Sequence, residues 1–537
     1  MFLRNLKELH GCGISRILRR FYIRLQFQRG WYLLLSKGVI NIGLIIVSVL
    51  LIVRTSVAST NVPVGDDTYN VLLRLEAEGV IQSGLLSTGP LSREEVARLI
   101  LEAERNSETK SPFIRQLVQS LKKRFRDESG ETKHINIEYI KPLDRVYVQY
   151  IYSDRDPREM IYNNDGDNYK KGSNARFGLI SRADLGRASF YINPEGRYSD
   201  SESETDIIMK RAYGVLSFLG LELELGKDSQ WWGPGRNGSI LLSNNPEPMN
   251  ILKITNPHPV LLPWIFKYLG PFNFTVFATE LSKERVVPKP YLWGMRLDFK
   301  PIPYFEIGLQ RTALLGGEGR SEDLKTWWDS FSGIGENPAV DIAGDPKDTE
   351  AGDQRAGFDI KLTLPLKWQP LQIYADAAGE DEAGGLPTKW AYLGGIYLPR
   401  IPGFERIDFR AEYANTYLKG LPNVWYNHDI YRTGYRYKGR IIGHHMGTDS
   451  RDFFFEMSYR VPEINGWIKL SYDKEKHNLS STTNPTKVES SVGAKFDVGG
   501  GVSMEGRYIS GRLKNYEDLS DKDSRINLIS FELSYNF

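Results

Sequence analysis

The chain has very little cysteine: Cys12 is the only one among 537 residues. Cys12 lies in the N-terminal leader region, so a mature chain without the leader contains none. This excludes a disulfide framework and a cysteine-based metal site in the mature protein. Cys12 also precedes the long apolar run instead of following it, which argues against a lipoprotein.

Long hydrophobic runs are equally scarce, and the one clear example covers residues 39–53. The mean hydropathy of −0.39 excludes a helical polytopic membrane protein. The run follows a basic region and precedes Ser56-Val57-Ala58, whose small first and third residues match a signal-peptidase site. We expect a signal peptide over residues 1–58, cleaved after Ala58. The alternative is an uncleaved inner-membrane anchor.

Excess positive charge is absent outside the leader. Residues 1–58 hold nine of the 69 basic residues and one of the 67 acidic residues. The remaining 60 basic and 66 acidic residues give the rest of the chain a net charge of about −6. This balance gives no support to nucleic-acid binding.

Alternation of apolar and polar residues is what the chain has in abundance. In residues 529–537 every odd position is apolar or aromatic and every even position is polar, as in a strand with one apolar face. The same period of two recurs from about residue 135 to the C-terminus. Short turns, such as Gly499-Gly500-Gly501, alternate with long polar connections over residues 154–173, 199–206, 316–355, 415–450 and 515–524.

This asymmetry predicts an all-β transmembrane barrel of about 18 antiparallel strands over residues 131–537. The aromatic content of 12% suits the aromatic girdles of such a barrel. A soluble propeller or β-helix is the alternative, but propellers need a fixed repeat period and the chain has none.

Helical periodicity is confined to residues 59–130, where we expect a three-helix bundle. Asp67 is a candidate N-cap for the first helix. Ser92 and Glu95 form a capping box for the second, and Ser111 precedes Pro112 at the start of the third. The apolar faces of these helices need partners, either one another or the barrel mouth.

Four stretches resemble the Wzi-type outer-membrane capsule-assembly family. They are residues 226–235 (GKDSQWWGPG) continuing to 241–245, residues 293–301 (WGMRLDFKP), residues 306–313 leading into Gly316-Gly317-Glu318-Gly319-Arg320, and the helical residues 91–99. The resemblance covers nearly all of the mature chain. The long leader departs from the short one usual in the family.

The resemblance implies an 18-stranded barrel with a three-helix bundle at its periplasmic mouth. It implies a lectin-like receptor, not an enzyme, that holds exported capsular polysaccharide or another extracellular polysaccharide at the cell surface. Such a protein is expected to be a monomer in the outer membrane of a Gram-negative bacterium. It would contact lipid and lipopolysaccharide, depend on the barrel-assembly machinery, and need no cofactor or nucleic acid.

Two tryptophans in the first resembling stretch, Trp231 and Trp232, are candidate polysaccharide-binding residues. Aromatic faces stack on the C–H faces of sugars, and polar residues that bond hydroxyls lie nearby in sequence: Asp228, Gln230, Arg236, Asn237 and Asn244. The alternative is that both indoles serve packing or an interfacial girdle, with Gly233-Pro234-Gly235 as a turn.

The glycine-rich stretch at residues 316–320 opens a long loop and supplies further candidates. Glycines expose backbone amides and permit close approach of a ligand. Glu318 can accept from sugar hydroxyls, and Arg320 can pair with an acidic polymer. A loop folded into the lumen, with both in a structural ion-pair network, is the alternative. Arg311 from the third resembling stretch, and Trp327 and Trp328 from the same loop, complete the candidates; the two tryptophans either stack on sugar or pack the loop.

Residues 423–447 interleave aromatic and basic residues, a composition that suits an anionic polysaccharide. His444-His445 is not expected to bind metal, because neighbours on a strand point apart and no third ligand is evident. No nucleophile elbow or zincin motif occurs, so we predict no enzyme and no metal. Carboxylate pairs such as Asp376 and Glu380 leave a surface glycosidase or lyase open, and a porin-type channel is the other alternative.

Overall fold

The computed structural model describes residues 57–129, 138–157, 160–201, 204–332, 352–380, 382–383, 386–481, 483–516 and 523–537. The predicted signal peptide lies outside the described residues except for residues 57 and 58, so its cleavage stays a prediction. Among the described helices, none is both long and apolar enough to cross a membrane.

Eighteen antiparallel strands of the described chain form a closed barrel, which confirms the predicted fold class. The strands are β1 Tyr139–Ser153, β2 Gly172–Leu185, β3 Ala188–Ser199, β4 Glu204–Phe218, β5 Leu221–Asp228, β6 Met249–Thr255, β7 Pro271–Glu280, β8 Tyr291–Ile302, β9 Phe305–Leu315, β10 Asp353–Leu364, β11 Leu371–Glu380, β12 Trp390–Leu398, β13 Ile407–Asn415, β14 Arg451–Val461, β15 Gly466–Lys476, β16 Thr486–Gly499, β17 Val502–Lys514 and β18 Asp523–Asn536.

The last strand closes the barrel on the first. β18 pairs with β1 in a register that runs from Arg145 opposite Asn536 to Ser153 opposite Leu528. On β18 the odd residues Ile529, Phe531 and Leu533 are exposed on the outside of the wall. Side chains alternate across a strand, so the polar set faces the lumen and the apolar set faces outward, as the sequence pattern predicts.

Four helices precede the barrel: α1 Thr68–Ala77, α2 Arg93–Asn106, α3 Pro112–Arg124 and the short α4 Arg126–Ser129. Ser92 Oγ accepts a hydrogen bond from Glu95 N at 3.1 Å, and Ser111 Oγ accepts one from Ile114 N, so both predicted caps are present. Asp67 makes no capping hydrogen bond; its carboxylate pairs with Arg460 on β14 instead, at 2.9 Å. The helices bury a shared apolar core of their own.

The helices sit at the end of the barrel where the strand connections are short, here called the short-turn end. Asp127 on α4 pairs with Lys141 at the start of β1, and Glu78 after α1 pairs with Arg400 in the turn after β12. The opposite end carries the described parts of longer connections, residues 154–157, 160–171, 229–248, 281–290, 316–332 and 416–450, and is here called the long-loop end.

Inserted chain occupies much of the lumen, and a polar cavity of about 460 Å³ remains beside it against wall residues such as Arg145 and Lys469. Residues 229–248 and 416–450 fold inward from the long-loop end and build an apolar core inside the barrel. Its fully buried members include Trp232, Ile240, Leu241, Leu242, Trp425, Tyr426, Tyr435 and Ile442. From the short-turn end α1 projects charged side chains into the polar wall, where Glu76 contacts Lys300 at 2.6 Å and Lys361 at 2.8 Å.

Candidate functional site

An open groove lies at the long-loop end, and we call it the rim groove. It is lined by Glu280, Lys289, Tyr291, Gly317, Glu318, Gly319, Arg320 and Glu322. The ammonium of Lys289 lies 3.5 Å from the carboxylate of Glu318, and these side chains are 49% and 61% exposed. The groove therefore offers both a cation and an acceptor to solvent.

The glycine-rich turn that forms one wall of the rim groove is built from positive backbone angles. Gly316, Gly317 and Gly319 have φ of +65°, +100° and +85°, a region that residues with a Cβ rarely adopt. A Cβ on Gly317 would meet Val287 Cγ1 at 2.7 Å, whereas Gly319 has open space beside it. Close approach of a ligand is thus available at Gly319.

Most backbone N–H groups of this turn already donate hydrogen bonds within the protein, so they are not expected to bind a ligand. Glu318 N donates to Pro288 O at 2.9 Å, and Arg320 N donates to Gly317 O at 3.0 Å. Gly317 N donates to the Glu322 carboxylate at 3.0 Å. These bonds hold the turn rigid and leave recognition to its side chains.

Arg320 joins the turn to the long inserted connection. Its guanidinium lies over the ring of Tyr431, 5.5 Å from the centroid, and Tyr431 Oη donates to Gly316 O at 3.1 Å. The sequence left open a lumen position for Glu318 and Arg320. The structure places both at the rim, where Glu318 pairs with the exposed Lys289.

Arg311, Trp327 and Trp328 lie together on the outside of the wall. Helix α5, Leu324–Ser332, covers the outward faces of β8 and β9: Trp293 Nε1 donates to Ser330 Oγ at 2.9 Å, and Arg311 donates to Ser330 O at 3.1 Å. Trp327 packs against Tyr291 of the rim groove, with ring centroids 5.6 Å apart. Trp328 is 54% exposed on this outer surface, where the membrane interface favours aromatic residues.

Trp231 and Trp232 lie inside the barrel and outside the rim groove. They pair as a two-residue strand with Thr88–Gly89 of the N-terminal segment. Trp231 Nε1 donates to Gly233 O and to Gly235 O, at 3.1 Å each. Trp232 is fully buried and packs edge-on against Phe277. This burial favours the packing interpretation over contact with a polymer.

Residues 423–447 separate into a buried aromatic set and an exposed basic set. The buried set is Trp425, Tyr426, Tyr431, Tyr435 and Tyr437. Arg432 and Lys438 are exposed at the long-loop end. Arg285 of the neighbouring connection donates to Gly434 O at 2.7 Å and so binds the two connections together. Arg432 and Lys438 therefore face solvent, whereas Arg440 donates to Ile161 O and Asp167 O and the aromatic rings pack inside the barrel.

Asp376 and Glu380, the carboxylates considered above as a possible catalytic pair, have structural partners. Asp376 accepts from Ile240 N at 3.0 Å and from Gln310 Nε2 at 2.8 Å. Glu380 pairs with Arg355, which is fully buried. Both carboxylates thus stabilise the plugged lumen.

A cluster that the sequence did not reveal lies beneath the long-loop end. His444 and His445 occupy a turn, not a strand, and their ring centroids are 4.6 Å apart, so the premise that they point apart is wrong. Three inward carboxylates approach them, Asp452 on β14 and Asp473 and Glu475 on β15. Burial, together with the neighbouring His445, holds the pKa of His444 well below its usual value, which keeps that imidazole neutral.

Known proteins match the chain in sequence and in fold. The family model of the capsule assembly protein Wzi matches residues 156–527, more than half of the chain. A Klebsiella pneumoniae protein described as a 55.8 kDa protein in the cps region is 29% identical over 363 residues; the match covers 65% of this chain and 64% of that relative's length.

The fold comparison agrees. Escherichia coli Wzi, described as an outer-membrane protein involved in group 1 capsule assembly and as a carbohydrate-binding β-barrel, superimposes with a TM-score of 0.71 at 22% identity, covering 89% of this chain and all of that one. With its family match and its closed 18-stranded barrel, the chain belongs to the Wzi family of capsule assembly proteins, and is a capsule-related protein of the Gram-negative outer membrane.

Proposed function

We propose that this protein attaches an acidic capsular or extracellular polysaccharide to the cell surface, as a lectin-like receptor without catalytic activity. The observation that carries the proposal is the rim groove: it is open and charged at the long-loop end, while inserted chain builds an apolar core inside the barrel. In this proposal the long-loop end faces outward and the N-terminal helices lie on the periplasmic side.

The lining of the rim groove combines two cations, Lys289 and Arg320, with three carboxylates, Glu280, Glu318 and Glu322, and so offers partners both for acidic groups and for hydroxyls of a sugar polymer. Arg320 presents a planar fork that matches a carboxylate, and Lys289 adds a second cation. Glu318 accepts from hydroxyl groups, and Gly319 lets a sugar ring approach the backbone. The exposed Arg432 and Lys438 extend the basic surface beyond the groove.

A polymer supplies many identical repeats, and this favours weak individual contacts. Each exposed charge pair contributes on the order of 1 kcal/mol or less. A chain that engages several such contacts at once gains avidity through the high local concentration of its next repeat. The carbohydrate binding of Escherichia coli Wzi supports the same role for this chain.

The inserted chain that builds an apolar core inside the barrel favours attachment over a porin-type channel. Trp232, Trp425 and Tyr426 are fully buried inside the barrel, and α1 enters from the other end. Purified protein in planar bilayers should therefore show no steady open pore. A stable conductance of porin size from the wild type would overturn this proposal in favour of the channel.

Paired substitutions test the groove directly. Arg320→Ala and Lys289→Ala should each weaken binding of purified acidic polysaccharide about fivefold, the equivalent of roughly 1 kcal/mol, and together they should release polymer from the cell surface. Lys325→Ala is the matched control, because Lys325 is 82% exposed on α5 and pairs with Asp329 one helical turn away. Barrel assembly is checked by heat-modifiable electrophoretic mobility. Normal retention of polymer by the double variant would discard the groove as the site.

A further inference from the structure

The imidazole and carboxylate groups beneath the long-loop end form a compact set of metal-ligating atoms. We call His445, Asp452, Asp473 and Glu475 the His445 cluster. One ligand atom from each lies within 4.8 Å of the others. His445 Nδ1 is 3.1 Å from Glu475 Oε1, and His445 Nε2 is 3.9 Å from Asp452 Oδ2. All four side chains are at most 3% exposed.

Several atoms of this cluster are buried without a hydrogen bond. His445 Nδ1 contacts Glu475, but His445 Nε2, Asp452 Oδ1 and Asp473 Oδ1 form no hydrogen bond with any described residue. Burying a polar atom unpaired costs about 1–3 kcal/mol, and more when the atom is charged. Three such atoms, on side chains whose ligand atoms lie within 4.8 Å of one another, indicate a missing electrophilic partner.

The charge balance points to the same conclusion. Among the described residues, Lys487 is the one lysine or arginine within ion-pairing distance of the three carboxylates, and it contacts Glu475. Asn237 donates to Asp452 at 2.9 Å and Tyr162 donates to Asp473 at 2.9 Å, and both are neutral. The imidazole of His477 also contacts Glu475, at 2.8 Å. With the imidazoles neutral and all three carboxyl groups ionised, one ammonium leaves two negative charges, which a divalent cation would balance.

We propose that the His445 cluster binds a divalent transition metal ion, Zn²⁺ or Mn²⁺, through the His445 ring and the carboxylates of Asp452, Asp473 and Glu475. Imidazole together with carboxylate oxygens suits these ions, whereas Ca²⁺ and Mg²⁺ take oxygen ligands. Ligand atoms lie about 2.0–2.2 Å from zinc, so binding draws the four groups inward by small rotamer changes.

The ion would hold the inserted connection over residues 416–450 against the barrel wall. His445 belongs to the inserted connection over residues 416–450, while its carboxylate partners stand on β14 and β15. The ring of Tyr162, from the connection over residues 154–171, stacks on His445 at 3.8 Å. One ion would thus tie the connection over residues 416–450 to β14 and β15, and the stacked ring of Tyr162 would bring the connection over residues 154–171 against the same site.

Metal analysis and titration test this inference on the full-length, tag-free protein in detergent. After EDTA treatment the wild type should bind one Zn²⁺ or Mn²⁺ per chain by calorimetry and elemental analysis, and its thermal midpoint should rise on binding. His445→Gln and Asp452→Asn should each weaken binding at least about a hundredfold, since even outer-shell changes cost 10- to 100-fold.

His258→Ala is the control, because His258 also lies beside two carboxylates but at the opposite end of the barrel. This variant should bind metal like the wild type. Failure of the wild type to bind either ion with a dissociation constant below about 1 mM, or unchanged binding by both cluster variants, would refute the site. If a cluster variant fails to assemble, the response of the wild-type thermal midpoint to EDTA and to Zn²⁺ readdition decides the question.

Discussion

The substitution Glu76→Gln tests how the N-terminal helices are held in the barrel. Glu76 on α1 is fully buried and contacts Lys300 at 2.6 Å and Lys361 at 2.8 Å. Lys361 also pairs with Glu306 at 2.9 Å, so two carboxylates and two ammonium groups balance inside the wall. Gln372 Nε2 donates to the second oxygen of Glu76 at 2.9 Å.

Replacing Glu76 by glutamine keeps the shape of the side chain and removes one negative charge. Breaking a buried ion pair from one side costs about 3–5 kcal/mol, because the partner charge stays buried without compensation. With about 1.4 kcal/mol for each factor of ten, the released state of the helices should become about 150- to 4,000-fold more populated. Glu76→Gln with Lys300→Met removes one charge of each sign and should recover much of the loss.

Limited proteolysis of the refolded protein measures this population, since cleavage of a transiently released segment follows its equilibrium population. Glu104→Gln is the matched control on the solvent side of the same helices. Its pair with Lys122 is 2.6 Å long, but these side chains are 35% and 30% exposed, so the expected loss is at most about 1 kcal/mol. If Glu76→Gln and Glu104→Gln resist proteolysis equally, the buried charges do not hold the helices in the barrel.

Two further changes probe the electrostatics of the short-turn end and the packing of the plug. Burial alone lowers the pKa of His258, but hydrogen bonds to Glu94 and Glu95 outweigh it and raise the pKa to about 9. The stability that protonated His258 contributes is therefore complete below about pH 6.5 and lost as the pH rises through 9, so the gap in thermal midpoint between wild type and His258→Ala should close near pH 10. Trp232→Ala should lower the unfolding free energy by about 3–5 kcal/mol. Trp232→Phe should lower it less, because Trp232 Nε1 bonds no described residue and the phenyl ring keeps most of the apolar contact. Thermal denaturation in detergent compares the two variants, and equal losses of stability would contradict the packing role.

Much of the wall could be predicted from the chain alone, because each strand has its own local signal. The alternation in residues 529–537 places Phe531 and Leu533 on the outer face of the wall, and this holds for any partner strand. Gly499-Gly500-Gly501 marks a turn since all three residues adopt positive φ. Ser92 and Ser111 cap their helices through atoms only three residues away.

The contents of the lumen could not be predicted in the same way. Trp231 and Trp232 look alike in sequence whether they face sugar or core, and their burial follows from pairing with Thr88–Gly89, more than a hundred residues earlier. The same limit applies to Trp327. Its sequence position suggests an exposed loop, but the residue lies on a helix that packs against the outside of the wall. Asp67 is of a residue type that commonly caps helices, yet its carboxylate pairs with Arg460 on a strand distant in sequence.

By itself the sequence determined that the chain alternates, closes as a barrel and carries a helical segment before it, since these properties depend on neighbours a few residues apart. Only the tertiary structure decided which polar groups meet: Glu318 with Lys289 at the rim, and His445 with Asp452 below it. Contacts across a closed barrel join residues whose separation in sequence sets no distance between them. Burial and charge pairing, which control recognition and any bound ion, therefore emerge only when the wall closes.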